Sequence, residues 1–194
     1  RSAVLTVSTT ATPDTSAPTT PTNLRSTTET SDQINLMWNA ASDNVGVTGY
    51  RLYKNGSSTA FATTAAPGYN DTGLTADQSY QYRVSAVDAA GNESALSTSL
   101  MVNTLAAPDT SAPTTPSSLR STTVTSDQIN LMWNAASDNI GVTGYRLYKN
   151  GSSTPFATTT TPGYNDTGLT ANQSYQYRVS AVDEAGNESA LSSA

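Results

Sequence analysis

Carboxylate side chains that could bind a metal ion recur in this chain in two sets with the same spacing. The first set is Asp14, Asp43, Asp88 and Asn92, and the second, 95 residues later, is Asp109, Asp138, Asp183 and Asn187. Hard oxygen ligands of this kind suit Ca²⁺, which takes about six to eight of them. If the loops of a set converge, we expect a calcium site and no other cofactor. The alternative is that these side chains cap their own turns.

The residue types that carry most enzyme chemistry are missing. The chain contains neither cysteine nor histidine, which excludes thiolate nucleophiles, disulfides, imidazole bases and most zinc or copper sites. Carboxylates in polar loops lack the burial that tunes a pKa for general acid–base work. We therefore expect no catalytic residues and no enzyme activity in this chain.

The two sets of carboxylates belong to two nearly identical units. Aligning residues 14–99 with residues 109–194 gives 11 mismatches in 86 positions. A unit of about 85–95 residues can bury a core of its own. We expect residues 1–13 to be a separate terminal strand with a linker, residues 14–105 to be one domain, and residues 106–194 to be a second.

Each unit is predicted to be all-β, because apolar residues alternate in short runs and no stretch keeps a helical period. In the first unit Ile34, Leu36 and Trp38 share one face of a strand. Tyr80 and Tyr82 share one face of a later, longer strand and are expected in the core. Seven such strands per unit predict a sandwich of two sheets.

The same residues resemble the fibronectin type III family. The resemblance rests on Trp38 at the end of strand B, Tyr50-Arg51-Leu52 in strand C, a tyrosine corner formed by Leu74 and Tyr80, and the segments 43–50 and 86–92. Those last two segments are similar to modules of secreted bacterial chitinases, cellulases and surface proteins. The resemblance implies two tandem seven-stranded sandwiches, the second without its own last strand. It implies no single function, because such modules serve as spacers, adhesins and fibre subunits.

In this family the start of strand A and the loops after strands B and F meet at one pole. The resemblance therefore implies that each set of carboxylates converges there, together with Glu93 in the first unit and Glu188 in the second. Tyr53 points outward by strand parity, which makes it the fair candidate for stacking on a sugar ring. The alternative for Tyr53 is a packing contact across strands.

The composition indicates an acidic extracellular protein, secreted or at the cell surface, and the resemblance implies a bacterial one. The net charge is −6 and the few basic residues form no stripe, which argues against nucleic acid as a partner. No apolar run approaches the roughly 18 residues of a membrane span. The chain begins with Arg1 rather than Met, and we read it as a piece of a longer precursor.

The ends of the chain are out of phase with the repeat. Leu5 and Val7 match Leu100 and Val102 at the 95-residue offset, whereas the second unit stops before its own strand G. We therefore expect a surplus strand at residues 1–10 and an open strand edge in the second unit.

The surplus strand and the open edge predict an assembly. Residues 8–17 span only about 33–36 Å when extended, too little to return past a whole domain. The strand carrying Leu5 and Val7 is therefore expected to pair beside Tyr177 and Val179 of another copy, which builds a head-to-tail filament. The alternative is that proteolysis or cloning placed the ends.

Two kinds of function follow from the sequence. The first is a non-catalytic structural protein, a rigid tandem spacer or a self-assembling filament whose partner is a second copy of the chain. The second is an accessory module that binds a polysaccharide for a secreted polymer-degrading enzyme.

Overall fold

The computed structural model describes residues 12–194, which form two units that divide between Ala107 and Pro108. These residues contain no helix, and so none that is long and apolar enough to cross a membrane. The all-β prediction is confirmed. Leu5 and Val7 lie outside the described residues, so the terminal strand stays a prediction.

Domain 1 is a sandwich of a three-stranded and a four-stranded antiparallel sheet. Its strands are β1 (Thr22–Glu29), β2 (Gln33–Asn39), β3 (Val47–Lys54), β4 (Ala62–Thr64), β5 (Gly68–Thr72), β6 (Ser79–Asp88) and β7 (Leu100–Asn103). The strand orders are β1-β2-β5 and β4-β3-β6-β7. The central strands β2, β3 and β6 therefore supply most of the core.

Domain 2 repeats this arrangement with one strand fewer. Its strands are β8 (Ser117–Val124), β9 (Gln128–Asn134), β10 (Val142–Lys149), β11 (Ala157–Thr159), β12 (Gly163–Thr167) and β13 (Tyr177–Asp183). The strand orders are β12-β9-β8 and β11-β10-β13. Within residues 108–194 no strand corresponds to β7, because the positions that align with Leu100–Asn103 at the 95-residue offset lie past residue 194.

Alternation along β2 decides which side chains fill the core. Ile34, Leu36 and Trp38 are 0%, 1% and 3% exposed, whereas Met37 between them is 43% exposed. Trp38 packs edge-on against Tyr50 of the opposite sheet, with ring centroids 5.3 Å apart. Domain 2 repeats this contact at the same distance, so the two cores are built alike.

The tyrosine corner is present in both domains. The hydroxyl of Tyr80 accepts the backbone N–H of Thr75 at 2.9 Å, and Tyr175 accepts that of Thr170 at 2.9 Å. Leu74 packs against the core of domain 1. These contacts hold the turn that leads into β6 and its counterpart in domain 2.

Candidate functional site

A cluster of three carboxylates, here named the pole cluster, lies at one end of each domain. In domain 1 Asp14 precedes β1, Asp43 lies between β2 and β3, and Asp88 ends β6. One oxygen from each lies within 4.8 Å of the others. The pole cluster of domain 2 consists of Asp109, Asp138 and Asp183. The structure therefore brings together the carboxylates that the sequence grouped.

Asp43 is held in place by its own loop. Its Oδ2 accepts bonds from the backbone N–H groups of Val45 and Gly46, both at 2.9 Å. Gly46 has a φ of 131°, which residues with a side chain rarely adopt. The turn therefore occupies one oxygen of Asp43. It requires glycine at position 46 because of the positive φ there.

Asp88 is only 5% exposed, and both of its carboxylate oxygens accept hydrogen bonds from Asn92. Its Oδ1 accepts the backbone N–H of Asn92 at 2.8 Å, and its Oδ2 accepts the side-chain amide at 2.7 Å. Burial acts to raise the pKa of Asp88, but hydrogen bonds from Asn92 and from the backbone N–H groups of Gly91 and Ala90 outweigh it and hold that pKa below the ordinary value. Asp88 is therefore ionised at neutral pH.

Asp14 connects the segment before β1 to the two other loops. Its Oδ1 accepts the backbone N–H of Ser16 at 3.0 Å and the side-chain amide of Asn44 at 3.1 Å. Its backbone carbonyl accepts the side-chain amide of Asn92 at 3.2 Å. The amide nitrogen of Asn92 thus acts as a donor that ties Asp88 to the strand entry.

Two carboxylate oxygens of each cluster remain without a partner. In domain 1 these are Asp14 Oδ2 and Asp43 Oδ1, which are buried and accept no hydrogen bond from residues 12–194. The ion pairs found in this part of the chain all involve other carboxylates. Carboxylates so close together repel by about 1 kcal/mol per pair even in water. Turn capping accounts for the bonded oxygens and leaves the other two unexplained.

Glu93 does not join the pole cluster, which corrects the sequence-based expectation for Glu93 and Glu188. It accepts hydrogen bonds from the hydroxyls of Tyr53 at 2.6 Å and Ser85 at 2.5 Å and forms an ion pair with Arg51. Burial acts to raise the pKa of Glu93, but these partners outweigh it and lower that pKa. An isolated bridge to β6 holds Glu93 over β3 and β6. Glu188 makes the same contacts in domain 2. Alternation along β3 was the available signal for this contact, since it places Arg51 and Tyr53, two of the partners of Glu93, on one face.

The aromatic side chains do not form a flat platform for a sugar. The hydroxyl of Tyr53 is bonded to Glu93, and its counterpart Tyr148 is only 8% exposed. Phe61 is 37% exposed, but its ring is inclined at 82° to that of Tyr69. Stacking on a pyranose requires roughly coplanar exposed rings, and these four rings do not provide them.

A second buried carboxylate, Asp71, joins the two sheets of domain 1. Asp71 on β5 is 5% exposed. It accepts bonds from Lys54 Nζ on β3 at 2.9 Å and from the Tyr82 hydroxyl on β6 at 2.6 Å. Lys54 Nζ also lies 4.5 Å from the centroid of the Phe61 ring. Burial, followed by the neighbouring Asp71, raises the pKa of Tyr82 far above its ordinary value. The hydroxyl therefore remains a donor, and the group is a crosslink between sheets.

Within residues 108–194, part of the edge of β13 has no paired strand and is open. In domain 1 the strand β7 pairs with the first four residues of β6, whereas β13 begins only at Tyr177. A groove of about 460 Å³ lies beside this edge and is lined by Ile129, Tyr175 and Tyr177 among others. Ile129 is partly exposed there, but Ile34 at the same position of domain 1 is 0% exposed.

Val179 lies outside this open stretch. Its N–H donates to Ser192 Oγ at 3.1 Å, and its carbonyl accepts the N–H of Ser192 at 2.9 Å. By the register of β6 and β7 in domain 1, an added strand would meet Tyr175 and Tyr177. A donated strand is therefore expected to pair beside Tyr175 and Tyr177 rather than beside Tyr177 and Val179.

Comparison with known proteins identifies the two sandwiches. The family model described as fibronectin type III domain matches residues 16–102 and 111–194. The chain belongs to the fibronectin type III family. The pole cluster and the cross-sheet group at Asp71 thus lie within fibronectin type III domains.

Two bacterial enzymes contain stretches similar to these fibronectin type III domains. Chitinase A1 of Niallia circulans is 49% identical over 185 residues, which cover 93% of this chain and 26% of that protein. Exoglucanase B of Cellulomonas fimi is 45% identical over 201 residues, which cover 100% of this chain and 18% of that protein. The chain therefore spans about a quarter or less of these relatives. The solved structure of chitinase ChiA74 from Bacillus thuringiensis aligns with 94% of this chain and 29% of its own, with 22% identity and a TM-score of 0.45.

Proposed function

We propose that the chain is a non-catalytic spacer within a secreted bacterial enzyme that degrades a polysaccharide such as chitin or cellulose. This proposal rests on the kind of protein in which similar stretches occur. Both fibronectin type III domains align with a limited part of chitinase A1 and of exoglucanase B. A non-catalytic module that recurs in enzymes with different names fits a role shared by them, such as separating their other domains.

The internal bonding of each domain supports a spacer that keeps its shape. In domain 1 the two sheets are joined by Asp71 with Lys54 and Tyr82, and domain 2 has the same group. The segment between the domains contains Pro108 and Pro113, and prolines restrict φ and stiffen a linker. Because no strand includes residues 105–116, limited proteolysis should nevertheless cut first in this segment and leave two resistant fragments. Early cleavage inside either domain would contradict a rigid spacer.

A binding assay separates the spacer from an accessory polysaccharide-binding module. We expect the 194-residue chain to stay in solution when mixed with insoluble chitin or cellulose, because the exposed phenylalanine of each domain is steeply inclined to the neighbouring tyrosine ring. Retention on either polymer would replace the spacer proposal with the accessory module. In that case Phe61→Ala combined with Phe156→Ala should abolish retention, since these are the exposed aromatic rings of the two domains.

A second proposal concerns the open edge of β13. We propose that the groove accepts an extended strand with apolar side chains at alternate positions, because β7 supplies Leu100 and Val102 at the same place in domain 1. Residues 1–10 of another copy carry Leu5 and Val7 in that pattern and would give a head-to-tail filament. In a longer chain, residues after Ala194 would fill the groove within the domain.

An extended variant distinguishes these two sources of the strand. Copying residues 100–105 after Ala194 supplies domain 2 with its own last strand in the register of domain 1. Donation between chains predicts that the unextended chain forms filaments in electron microscopy, and that both the extension and a deletion of residues 1–10 prevent them. A monomeric unextended chain, measured by light scattering, would rule out donation. A higher melting temperature of domain 2 in the extended variant would then support the strand within the chain.

A further inference from the structure

We propose that each pole cluster binds one calcium ion, independently of the spacer role. Two carboxylate oxygens of domain 1, Asp14 Oδ2 and Asp43 Oδ1, are buried and accept no bond from residues 12–194. Asp109 Oδ2 and Asp138 Oδ1 are left in the same state in domain 2. Buried polar atoms almost always have a partner, because they lose water on folding. A bound cation supplies that partner.

The donors suit a hard cation of calcium size. Each cluster offers carboxylate oxygens from three segments within 4.8 Å of one another, and the chain has no thiolate or imidazole. Calcium binds oxygens at about 2.3–2.6 Å, so two ligands on opposite sides of one ion are about 4.6–5.2 Å apart. Magnesium binds at about 2.0–2.1 Å and prefers a tighter set. Calcium accepts irregular sets of oxygens, whereas magnesium demands a nearly ideal octahedron, so carboxylates from three separate segments favour calcium, with water completing its coordination.

The loops hold the carboxylates ready for the ion. Backbone N–H groups of Val45 and Gly46 fix Oδ2 of Asp43, and Ser16 with Asn44 fixes Oδ1 of Asp14. The unbonded oxygen of each carboxylate is therefore positioned before the ion arrives, which reduces the ordering that binding requires. No lysine or arginine forms an ion pair with either cluster in the described part of the chain, so the negative charge remains available to a cation.

Calcium would fasten the entry segment to its domain. Asp14 precedes β1, and Asp109 lies in the stretch that leads into β8, whereas the other carboxylates belong to the body of each domain. With two unbonded oxygens and largely exposed loops, we expect a dissociation constant of about 0.1–1 mM, the range of extracellular calcium modules. The site would then fill in calcium-rich surroundings and restrict the segment between the domains.

Nuclear magnetic resonance of the intact chain tests the proposal without any substitution. After removal of divalent ions with a chelator, CaCl₂ should shift the amide signals of Val45, Gly46 and Asn92 and their counterparts in domain 2. The shifts should saturate in the low millimolar range. MgCl₂ should be at least about tenfold weaker. If no shift saturates below 10 mM CaCl₂, or if MgCl₂ or NaCl gives the same shifts, the proposal is overturned.

Variants assign the ion to the cluster. Asp43→Asn keeps an oxygen that can accept the bonds from Val45 and Gly46 but removes the charge. It should weaken calcium binding at least tenfold in domain 1 and leave domain 2 unchanged, so that domain 2 acts as the reference in the same sample. Asp138→Asn should do the reverse. Asp77→Asn is the matched control, because domain 2 already has asparagine at that position, Asn172. Calcium binding that is unchanged in Asp43→Asn, or weakened equally by Asp77→Asn, would also overturn the proposal.

Discussion

Replacing Asp71 by alanine should destabilise domain 1 far more than replacing a surface carboxylate. The carboxylate accepts the hydroxyl of Tyr82 and the ammonium of Lys54 at once, and those two residues lie on the sheet opposite β5. Alanine removes both contacts, so the hydroxyl of Tyr82 and the ammonium of Lys54 lose their shared acceptor.

The size of the effect follows from the burial of the two donors. Tyr82 is 0% exposed, and a buried hydroxyl without an acceptor costs about 1–3 kcal/mol. The side chain of Lys54 is 25% exposed, so water can partly take the place of Asp71. The lost ion pair therefore adds only about 0.5–1 kcal/mol to the destabilisation. We expect a total loss of about 1.5–4 kcal/mol from a domain whose stability is roughly 5–15 kcal/mol.

Urea denaturation followed by tryptophan fluorescence can measure this in one domain at a time. Each domain has a single tryptophan, Trp38 or Trp133, so a Trp133→Phe background reports domain 1 alone. Asp166→Ala in a Trp38→Phe background should produce the same loss in domain 2. Asp77→Asn, which changes an exposed side chain, should stay within about 0.5 kcal/mol.

A second substitution separates the two contributions. Asp71→Asn keeps an oxygen that can accept from Tyr82 but removes the charge opposite Lys54, so it should lose less than half as much as Asp71→Ala. A loss below about 1 kcal/mol for Asp71→Ala would refute the reasoning. It would mean that water or a rearranged side chain satisfies Tyr82 without the carboxylate.

Three smaller perturbations follow from the same domain. Tyr80→Phe should cost about 1 kcal/mol of unfolding free energy in urea, since the N–H of Thr75 loses its acceptor, and an unchanged midpoint would contradict the tyrosine corner. The lowered pKa of Glu93 means that the folded state binds fewer protons, so stability should fall as pH drops below 4.5, the ordinary value. Glu93→Gln should flatten that acid slope, and an identical slope would exclude Glu93 as its source. Gly46→Ala should cost about 1–3 kcal/mol through backbone strain alone, because no atom lies within 4 Å of the added Cβ. An unchanged melting temperature for Gly46→Ala would contradict that reason.

Local patterns in the sequence were sufficient to predict the fold. Alternation identified the buried face of β2 at Ile34, Leu36 and Trp38, because strand side chains point to opposite faces with a period of two. The same rule predicted a core position for Tyr82, which is fully buried. The spacing of Leu74 and Tyr80 predicted the tyrosine corner, since that contact spans only a few residues.

The candidate site was less predictable where contacts depend on the exact path of a loop. The grouping of Asp14, Asp43 and Asp88 followed from the fold, but the same reasoning placed Glu93 with them. In the structure a turn after β6 brings Glu93 back over Ser85. The alternation of side chains along a strand does not predict such a turn, because the direction of the turn depends on its hydrogen bonds to the flanking strands.

By itself the sequence determined the repeat, the strands, the core faces and the carboxylates that share a pole, because each depends on short-range periodicity or on the common fold. Tertiary structure alone decided which carboxylate oxygens are bonded and which remain unpartnered. It also decided that Asp71 joins the sheets and that Ser192 already occupies the edge at Val179. These outcomes depend on distances of a few ångströms between segments far apart in the chain. The same contacts recur in both domains because the residues that make them are the same in both.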